Sequence, residues 1–140
     1  MKDLAAEVRR RAAHRCEYCG LPQAAFRRPF HIEHIVAKQH GGRTELDNLA
    51  LACWHCNLKK GPNVAGVDPA TRRIAPLFHP LQDQWSEHFG IAVHPNGRIE
   101  IRGLTPSGRA TVLVLGINEE MLQMLRHQLS TEGMYPLRHP

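Results

Sequence analysis

Two pairs of cysteines constrain this chain more than any other feature of its sequence. Cys16 and Cys19 form one C-x2-C pair, Cys53 and Cys56 form the other, and 33 residues separate the pairs. Two thiolates in such a turn bind an ion from one side, and two pairs complete the tetrahedral shell that zinc prefers. We therefore predict a structural zinc site with four thiolate ligands, which holds both ends of segment 17–52.

Two other interpretations of the cysteines are redox C-x-x-C motifs and buried free thiols. A thioredoxin-type redox motif needs a βαβ context, which the sequence does not indicate, and it needs only one pair. A site with four thiolates has no open position, so this zinc is not expected to catalyse a reaction. Any chemistry must come from residues that the zinc site holds in place.

The length and composition of the chain are those of a small folded domain. It has 140 residues, of which 42% are hydrophobic and 22% charged, so it can bury a core. Only 6% are aromatic, so the core should be modest. A small domain of this kind often needs a metal or a disulfide to be stable.

Positive charge is concentrated in the part that holds the cysteines. Residues 1–66 carry eleven Lys and Arg against six Asp and Glu, whereas residues 67–140 carry seven of each. A basic surface of this kind suits a polyanion such as nucleic acid, and a merely solvated basic face is the alternative.

The sequence does not predict a membrane protein. It lacks the run of about 18 apolar residues that a membrane helix needs. Residues 1–4 also lack the apolar segment of a secretory signal. We expect no membrane partner and a cytoplasmic location, where paired cysteines serve as metal ligands rather than as disulfides.

Local patterns predict the elements around the cysteines. We expect a helix over residues 3–14 capped by Asp3, strands over 29–37 and 48–53, and a short helix after Cys56 that ends at Gly61.

The rest of the chain is predicted as an extension. Residues 61–76 are predicted to be a linker or an ordered arm, and 81–89 a short helix. Strands over 98–104 and 110–115, joined by a turn at Thr105–Gly108, form a hairpin. A final helix, capped by Asn118, runs to Thr131.

Three polar residues inside or directly after the cysteine clamp can carry chemistry. Adjacent strand residues point to opposite faces, so Glu33 and His34 should have different tasks. Glu33 offers an oxygen to a divalent ion, and His34 is free to act as a base on water. Asn57 offers a second oxygen. An ion held in this way keeps open positions for phosphate oxygens and water, as phosphodiester cleavage requires.

At these positions the sequence resembles the HNH endonuclease family. His34, Asn48 and Asn57 match its signature, the Glu33–His34 pair matches its Asp-His, and Gly41-Gly42 matches its loop. The segment is also similar to the phage resolvase type, in which four cysteines bind zinc. The resemblance covers about residues 14–62.

The resemblance implies a fold and a division of the chain. We predict an α+β protein with a ββα-metal core clamped by the four-cysteine zinc site, and a C-terminal β-hairpin plus helix as an extension. Residues 1–66 would form the nuclease core with its N-terminal helix. Residues 67–140 would pack on or beside that core.

The resemblance also implies roles for the site residues. His34 would be the general base, and Asn48 would fix the loop between the strands and help to orient His34. Glu33 and Asn57 would hold Mg²⁺ or another divalent ion. Glu stands at position 33 where the family more often has Asp, and Asn57 where many members have His. Both departures bear on the choice of metal.

Further residues are candidates for binding substrate. His31 shares a face with Glu33 and can contact the metal or a phosphate, with packing as the alternative. The other candidates are Arg27, Arg28, Lys59 and Lys60, which can contact phosphates or be solvated. His55 is expected to face solvent and His79 to have a structural role.

Two functions are consistent with these patterns. The first is a metal-dependent endonuclease that hydrolyses double-stranded DNA. The alternative is a zinc-stabilised nucleic-acid-binding module without catalysis. Residues after 66 can cover the core, extend the DNA surface or mediate dimerisation, and the oligomeric state stays open.

Overall fold

The computed structural model describes residues 3–136, which have the mixed α+β fold that the sequence predicted. Each sheet among these residues is a two-stranded antiparallel hairpin, formed by consecutive strands. The helices and strands, in chain order, are α1 (Leu4–Arg11), β1 (His31–His34), β2 (Leu49–Ala52), α2 (Trp54–Lys60), β3 (Ala65–Val67), β4 (Ile74–Pro76), α3 (Trp85–His88), β5 (Phe89–Val93), β6 (Ile99–Gly103), α4 (Pro106–Val114) and α5 (Glu120–Thr131).

The N-terminal elements lie where the sequence predicted them, with different ends. Helix α1 and strands β1 and β2 are shorter than predicted, and Asp3 makes no side-chain capping bond. Helix α2 begins earlier than predicted, because the Cys53 sulfur accepts a hydrogen bond from the Cys56 amide. The second cysteine turn is therefore also the first turn of the helix. Gly61, at a φ of 51°, ends α2 as predicted.

The segment over residues 61–76 is an ordered arm that packs on α4. Its strands β3 and β4 pair from Ala65 to Pro76. A Cβ atom on Gly66 would lie 2.4 Å from a methyl carbon of Val114, so the arm approaches α4 as closely as a glycine allows. The predicted boundary after residue 66 lies inside β3.

The predicted strand over 110–115 is wrong, because these residues belong to helix α4 and to its end. The hydroxyl of Thr105 accepts a hydrogen bond of 3.0 Å from the Gly108 amide, and Pro106 occupies the first turn. Thr-Pro-Ser-Gly is therefore a capped helix start rather than a hairpin turn. Strand β6 pairs with β5 instead, so the extension has a hairpin and two further helices.

Helix α5 is joined to β6 by buried polar groups. Asn118 does not cap the helix; its amide bonds the backbone N–H and C=O of Ile101 at 2.9 and 2.7 Å. Arg126 is fully buried and donates to the carbonyls of Ile99 and Ile117, both at 3.0 Å.

The C-terminal part packs against the first cysteine turn. The Tyr135 hydroxyl donates to the Cys19 carbonyl at 2.9 Å, and the Trp85 indole N–H donates to the Tyr18 carbonyl at the same distance. Of the roles left open for residues after 66, covering the core is the one that these contacts support. Within residues 3–136, no helix has the length and apolar character to cross a membrane.

Candidate active site and zinc centre

The four cysteines form one buried cluster, which confirms the predicted grouping. All four are free thiols, and their sulfur atoms lie within 4.8 Å of one another. The Sγ atoms of Cys19 and Cys53 are 3.7 Å apart. A Zn–S distance of about 2.3 Å places the sulfurs of a tetrahedral site about 3.8 Å apart. The donor set and its spacing therefore fit a structural zinc ion.

The backbone amides favour a thiolate at the first cysteine of each pair, whereas hydrogen bonds with the other cysteines raise the pKa of Cys19 and of Cys56 well above its ordinary value. The amides of Cys19 and Cys56 point at the first sulfur of each pair, 3.5 and 3.4 Å away. Burial raises the pKa of the Cys16 thiol, but hydrogen bonds from the other three thiols outweigh it and hold this pKa well below its ordinary value. The thiolate is the form that binds metal.

Glu33 is a buried residue of strand β1 and has two close partners. It is 6% exposed, and Tyr18 donates its hydroxyl proton to the Oε1 atom. The Nζ atom of Lys60 is 3.3 Å from the Oε2 atom and also donates to the Ile35 carbonyl at 2.9 Å. A buried carboxylate thus has a buried ammonium beside it, as burial of charge requires.

The pKa shifts in this cluster follow from its burial. Burial raises the pKa of Glu33, while the charge of Lys60 and the hydrogen bond from Tyr18 act to lower it. Burial and the nearby Glu33 charge raise the pKa of Tyr18 well above its ordinary value. Tyr18 therefore keeps its proton and remains a hydrogen-bond donor to the carboxylate.

An open hollow of about 480 Å³ lies between the end of β1 and helix α2. His34 and Asn57 line it from the strand and the helix, and Glu33 borders it. The His34 Nε2 atom is 2.8 Å from the Thr44 hydroxyl oxygen, so the loop after β1 orients the ring. The structure places the three predicted site residues around this one hollow.

Asn48 holds the loop between the two strands. Its carbonyl oxygen accepts from the Val36 amide at 2.9 Å, and its amide nitrogen donates to the carbonyls of Val36 and Arg43 at 3.0 and 2.9 Å. Gly42 is required in this loop, because a Cβ atom there would lie 1.7 Å from the Val36 carbonyl oxygen. Since these contacts use its side chain, Asn48 acts as a positioning residue.

The chemistry of the hollow fits a hard divalent ion. Carboxylate and amide oxygens are ligands that Mg²⁺ accepts, and it keeps several waters besides. A carboxylate has about four lone-pair positions, of which Tyr18 and Lys60 engage two. Glu33 therefore retains acceptor capacity beside Asn57.

The predicted substrate-binding residues lie in two places. Arg27, Arg28 and His31 are exposed and line a groove at the other end of β1 from His34. Lys59 is partly exposed and its Nζ atom is 3.4 Å from a Glu119 carboxylate oxygen, which offsets its charge.

The expectation that Lys60 contacts a phosphate is not supported by its position. It is 1% exposed, and its ammonium group is held between Ile35 and Glu33. Its positive charge offsets the buried negative charge of Glu33.

Two histidines outside the hollow are structural. His55 does not face solvent as expected, because its ring Nε2 atom lies 3.0 Å from the Gly116 carbonyl oxygen. The His79 Nδ1 atom accepts from the amides of Leu81 and Gln82, both at 3.2 Å, which agrees with the predicted structural role.

Sequence reasoning missed three residues that shape the site. Tyr18 lies inside the first cysteine turn, where the cysteine spacing predicts the turn but not the contact with Glu33. Thr44 lies in a loop that has no recognisable motif. Trp54 was also given no role, and in the structure it is 45% exposed. Its position between the two cysteines of the second pair is visible in the sequence and could have drawn attention to it.

A strand–strand–helix unit with four clustered cysteines, a histidine on its first strand and an asparagine on its helix defines a small mixed α+β domain. More particularly, the model of the HNH endonuclease family matches residues 16–63, which span both cysteine pairs, β1, β2 and α2. These residues are an HNH endonuclease domain with a buried four-cysteine cluster consistent with a zinc site. Neither the curated proteins nor the solved structures include a match to the chain.

Proposed function

We propose that the protein is a metal-dependent endonuclease that hydrolyses phosphodiester bonds of DNA. The observation that carries the proposal is the shared hollow of His34, Asn57 and Glu33 in a domain that matches the HNH family model. A base and two oxygen ligands at one open site are what metal-assisted hydrolysis needs. Double-stranded DNA is the proposed substrate.

His34 is proposed as the general base. The Thr44 hydroxyl engages its Nε2 atom, which leaves Nδ1 as the ring nitrogen that takes a proton from the attacking water. Imidazole groups exchange protons readily near neutral pH, which suits this task. Asn48 supports the ring indirectly, because it closes the loop that carries Thr44.

Glu33 and Asn57 are proposed to hold a divalent ion, Mg²⁺ or a similar one. When bound, such an ion stabilises the charge on the pentacovalent phosphate and on the leaving oxygen. Tyr18 and Lys60 hold the Glu33 carboxylate at the edge of the hollow. A carboxylate fixed in this way needs less reorganisation when it meets its ligand.

One observation favours the alternative function, a zinc-stabilised nucleic-acid-binding module without catalysis. Lys60 already neutralises Glu33 in a buried pair, so the carboxylate can serve structure alone. The two functions differ in whether bound DNA is cut.

The test is cleavage of supercoiled plasmid DNA with Mg²⁺ or Mn²⁺. We expect the wild-type protein to cut and His34→Ala to lose at least about a hundredfold in rate, as loss of a general base does. His40→Ala is the matched control, since His40 is an exposed histidine in the adjacent loop. Equal cleavage by wild type and His34→Ala would remove His34 from the mechanism. DNA binding without cleavage under every condition would support the binding module.

We also infer a cytoplasmic location, because the four-thiolate cluster suits a reducing compartment. No membrane partner is proposed. A dimer is one arrangement that would let two hollows reach both strands of a duplex.

A further inference from the structure

An exposed aromatic pair lies beside the proposed active site. Trp54 is 45% exposed, and its ring contacts the Phe26 ring edge-on with centroids 5.0 Å apart. Phe30 supports Phe26 from behind at 5.7 Å. Together they form one wall of a groove of about 520 Å³. Trp54 is thus a partly exposed ring that packs against a second aromatic side chain.

The groove and the hollow that holds His34 both border helix α2. Trp54, which lines the groove, and Asn57, which lines the hollow, are three residues apart on α2, so they lie on neighbouring turns of one helix face, about 4.5 Å apart along the axis. On β1, His31 lines the groove and His34 lines the hollow, but these two side chains leave opposite faces of the strand. A chain that follows α2 therefore meets both.

The groove carries positive charge that has no internal partner. Arg27 and Arg28 line it, both are exposed, and neither forms an ion pair with another residue in the range 3–136. Among residues 3–136, none of the side chains that line the groove is acidic. Two free guanidinium groups beside an open aromatic ring complement an anionic chain whose units carry a flat ring.

We propose that this groove binds an unpaired nucleotide of the substrate, with its base stacked on Trp54 and its flanking phosphates bound by Arg27 and Arg28. A base inside a duplex has both faces covered by its neighbours, so the ring of Trp54 selects a base that has left the stack. The proposed substrate would then be double-stranded DNA that carries a bulge, a flap or a single-stranded segment near the bond to be cut. This inference rests on the proposed function for its position beside the reacting centre.

The experiment measures binding without cleavage. A fluorescent 12-nucleotide oligothymidylate is titrated with His34→Ala protein, without added divalent ion, and followed by anisotropy. We expect Trp54→Ala in this background to weaken binding about tenfold or more, as loss of a stacked base does. Trp54→Phe, which keeps a ring, should stay within about threefold.

Leu58→Ala is the matched control. Leu58 is 75% exposed one turn further along α2, so it tests loss of apolar surface from the same helix without loss of an aromatic ring. It should bind like the His34→Ala parent. Zinc content and circular dichroism of each variant show that it is folded.

Three further measurements complete the test. Replacing Arg27 and Arg28 by Ala should make the slope of log K against log salt concentration less steep, by about 0.7 for each phosphate that the protein then leaves unneutralised. An oligouridylate of the same length separates RNA from DNA, and a perfectly paired duplex provides the stacked control. Tighter binding of either single strand, dependent on Trp54, supports the proposal.

The proposal is overturned if Trp54→Ala and Leu58→Ala bind alike, or if the duplex binds as tightly as the single strands with the same dependence on Trp54. Binding in the His34→Ala background does not require catalysis. A failure of plasmid cleavage therefore argues against the nuclease proposal alone, whereas a failure of this titration argues against the groove alone.

Discussion

The HNH segment and the C-terminal part of the chain are ordered by different interactions. In residues 16–63, four sulfurs and the Lys60–Glu33 pair lie among buried apolar side chains, which are Tyr18, Leu21, Phe30, Ile35, Leu49, Ala50, Leu51 and Ala52. The C-terminal part buries apolar side chains without a cysteine cluster among them. They include Phe89, Ile99, Ile101, Ala110, Leu115, Ile117, Leu122 and Leu129.

The difference shows where a metal can add to a hydrophobic core. Few apolar side chains can lie directly around His34 and Asn57, because the proposed site must keep both residues open to solvent. Zinc binding supplies folding free energy without occupying that space. The C-terminal part has no such constraint, and it covers the first cysteine turn through Tyr135 and Trp85.

Positive charge has two different uses in the N-terminal part of the chain. The guanidinium groups of Arg9, Arg11 and Arg15 donate to backbone carbonyls, so part of the basic surplus is structural. Arg27 and Arg28 remain at the surface without ion pairs among residues 3–136. The excess charge is therefore a weaker indication of nucleic-acid binding than the position of these two residues.

The largest expected effect is loss of the metal from the HNH segment. Structural zinc contributes about 10 kcal/mol or more to the folding of small zinc domains, so Cys53→Ala should abolish zinc binding and unfold residues 16–63. Hydrogen exchange would show loss of protection in β1, β2 and α2, with β5, β6 and α5 affected less. Full zinc content and unchanged protection in Cys53→Ala would refute the clamp. Uniform unfolding would show that the two parts form one cooperative unit.

The next effect concerns the buried ion pair. Lys60→Met leaves Glu33 as an uncompensated buried charge, which costs about 3 to 5 kcal/mol. Lys59→Met is the control: its partner is the half-exposed Glu119, and exposed pairs contribute less than about 1 kcal/mol. Urea denaturation measures both.

The double variant Lys60→Met with Glu33→Gln should recover much of the stability, because no charge is left buried. Equal destabilisation by Lys60→Met and Lys59→Met would show that the pair does not organise the site.

A smaller effect is expected in the C-terminal part, at the start of α4. Thr105→Ala removes the cap of the Gly108 amide and should cost about 1 kcal/mol in the free energy of unfolding. Thr105→Ser keeps the hydroxyl and should cost less. If Ala and Ser variants were equally stable, the hydroxyl would not be the source of the capping effect.

The smallest effect depends on pH and concerns Asp68. Arg109 bonds both Asp68 carboxylate oxygens, at 2.8 and 3.0 Å, and holds the pKa of Asp68 well below its usual range. The stabilisation is present above the unfolded pKa of about 3.9 and is lost as the pH falls toward the folded pKa. The difference in Tm between wild type and Asp68→Asn should shrink from pH 6 to pH 2. A constant difference would mean that the charge of Asp68 is not what stabilises the fold.

The sequence was informative where local chemistry decides the structure. Cysteine spacing located the cluster, and Gly61 marked the end of α2. It failed at α4, where the β-branched residues Thr111, Val112 and Val114 favour a strand locally and packing against the β3–β4 arm favours a helix.

The partners of Glu33 also could not be predicted from the sequence. Lys60 reaches it only because α2 crosses β1 in one particular register, and Tyr18 only because the first cysteine turn lies beneath the strand. Contacts of this kind depend on tertiary geometry that no motif encodes.

The tight fit of Gly42 against Val36 has a consequence for how an HNH domain of this kind can acquire new binding specificity. A loop that cannot accept even a methyl group at this position, and whose amide groups Asn48 already engages, tolerates few substitutions or insertions. The side chains of Arg27 and Arg28 are exposed, while the Gln23 amide holds the backbone of this segment at Arg28 and Phe30. Mutagenesis libraries that aim to change target choice should therefore vary these two arginine side chains and leave the loop beside His34 unchanged.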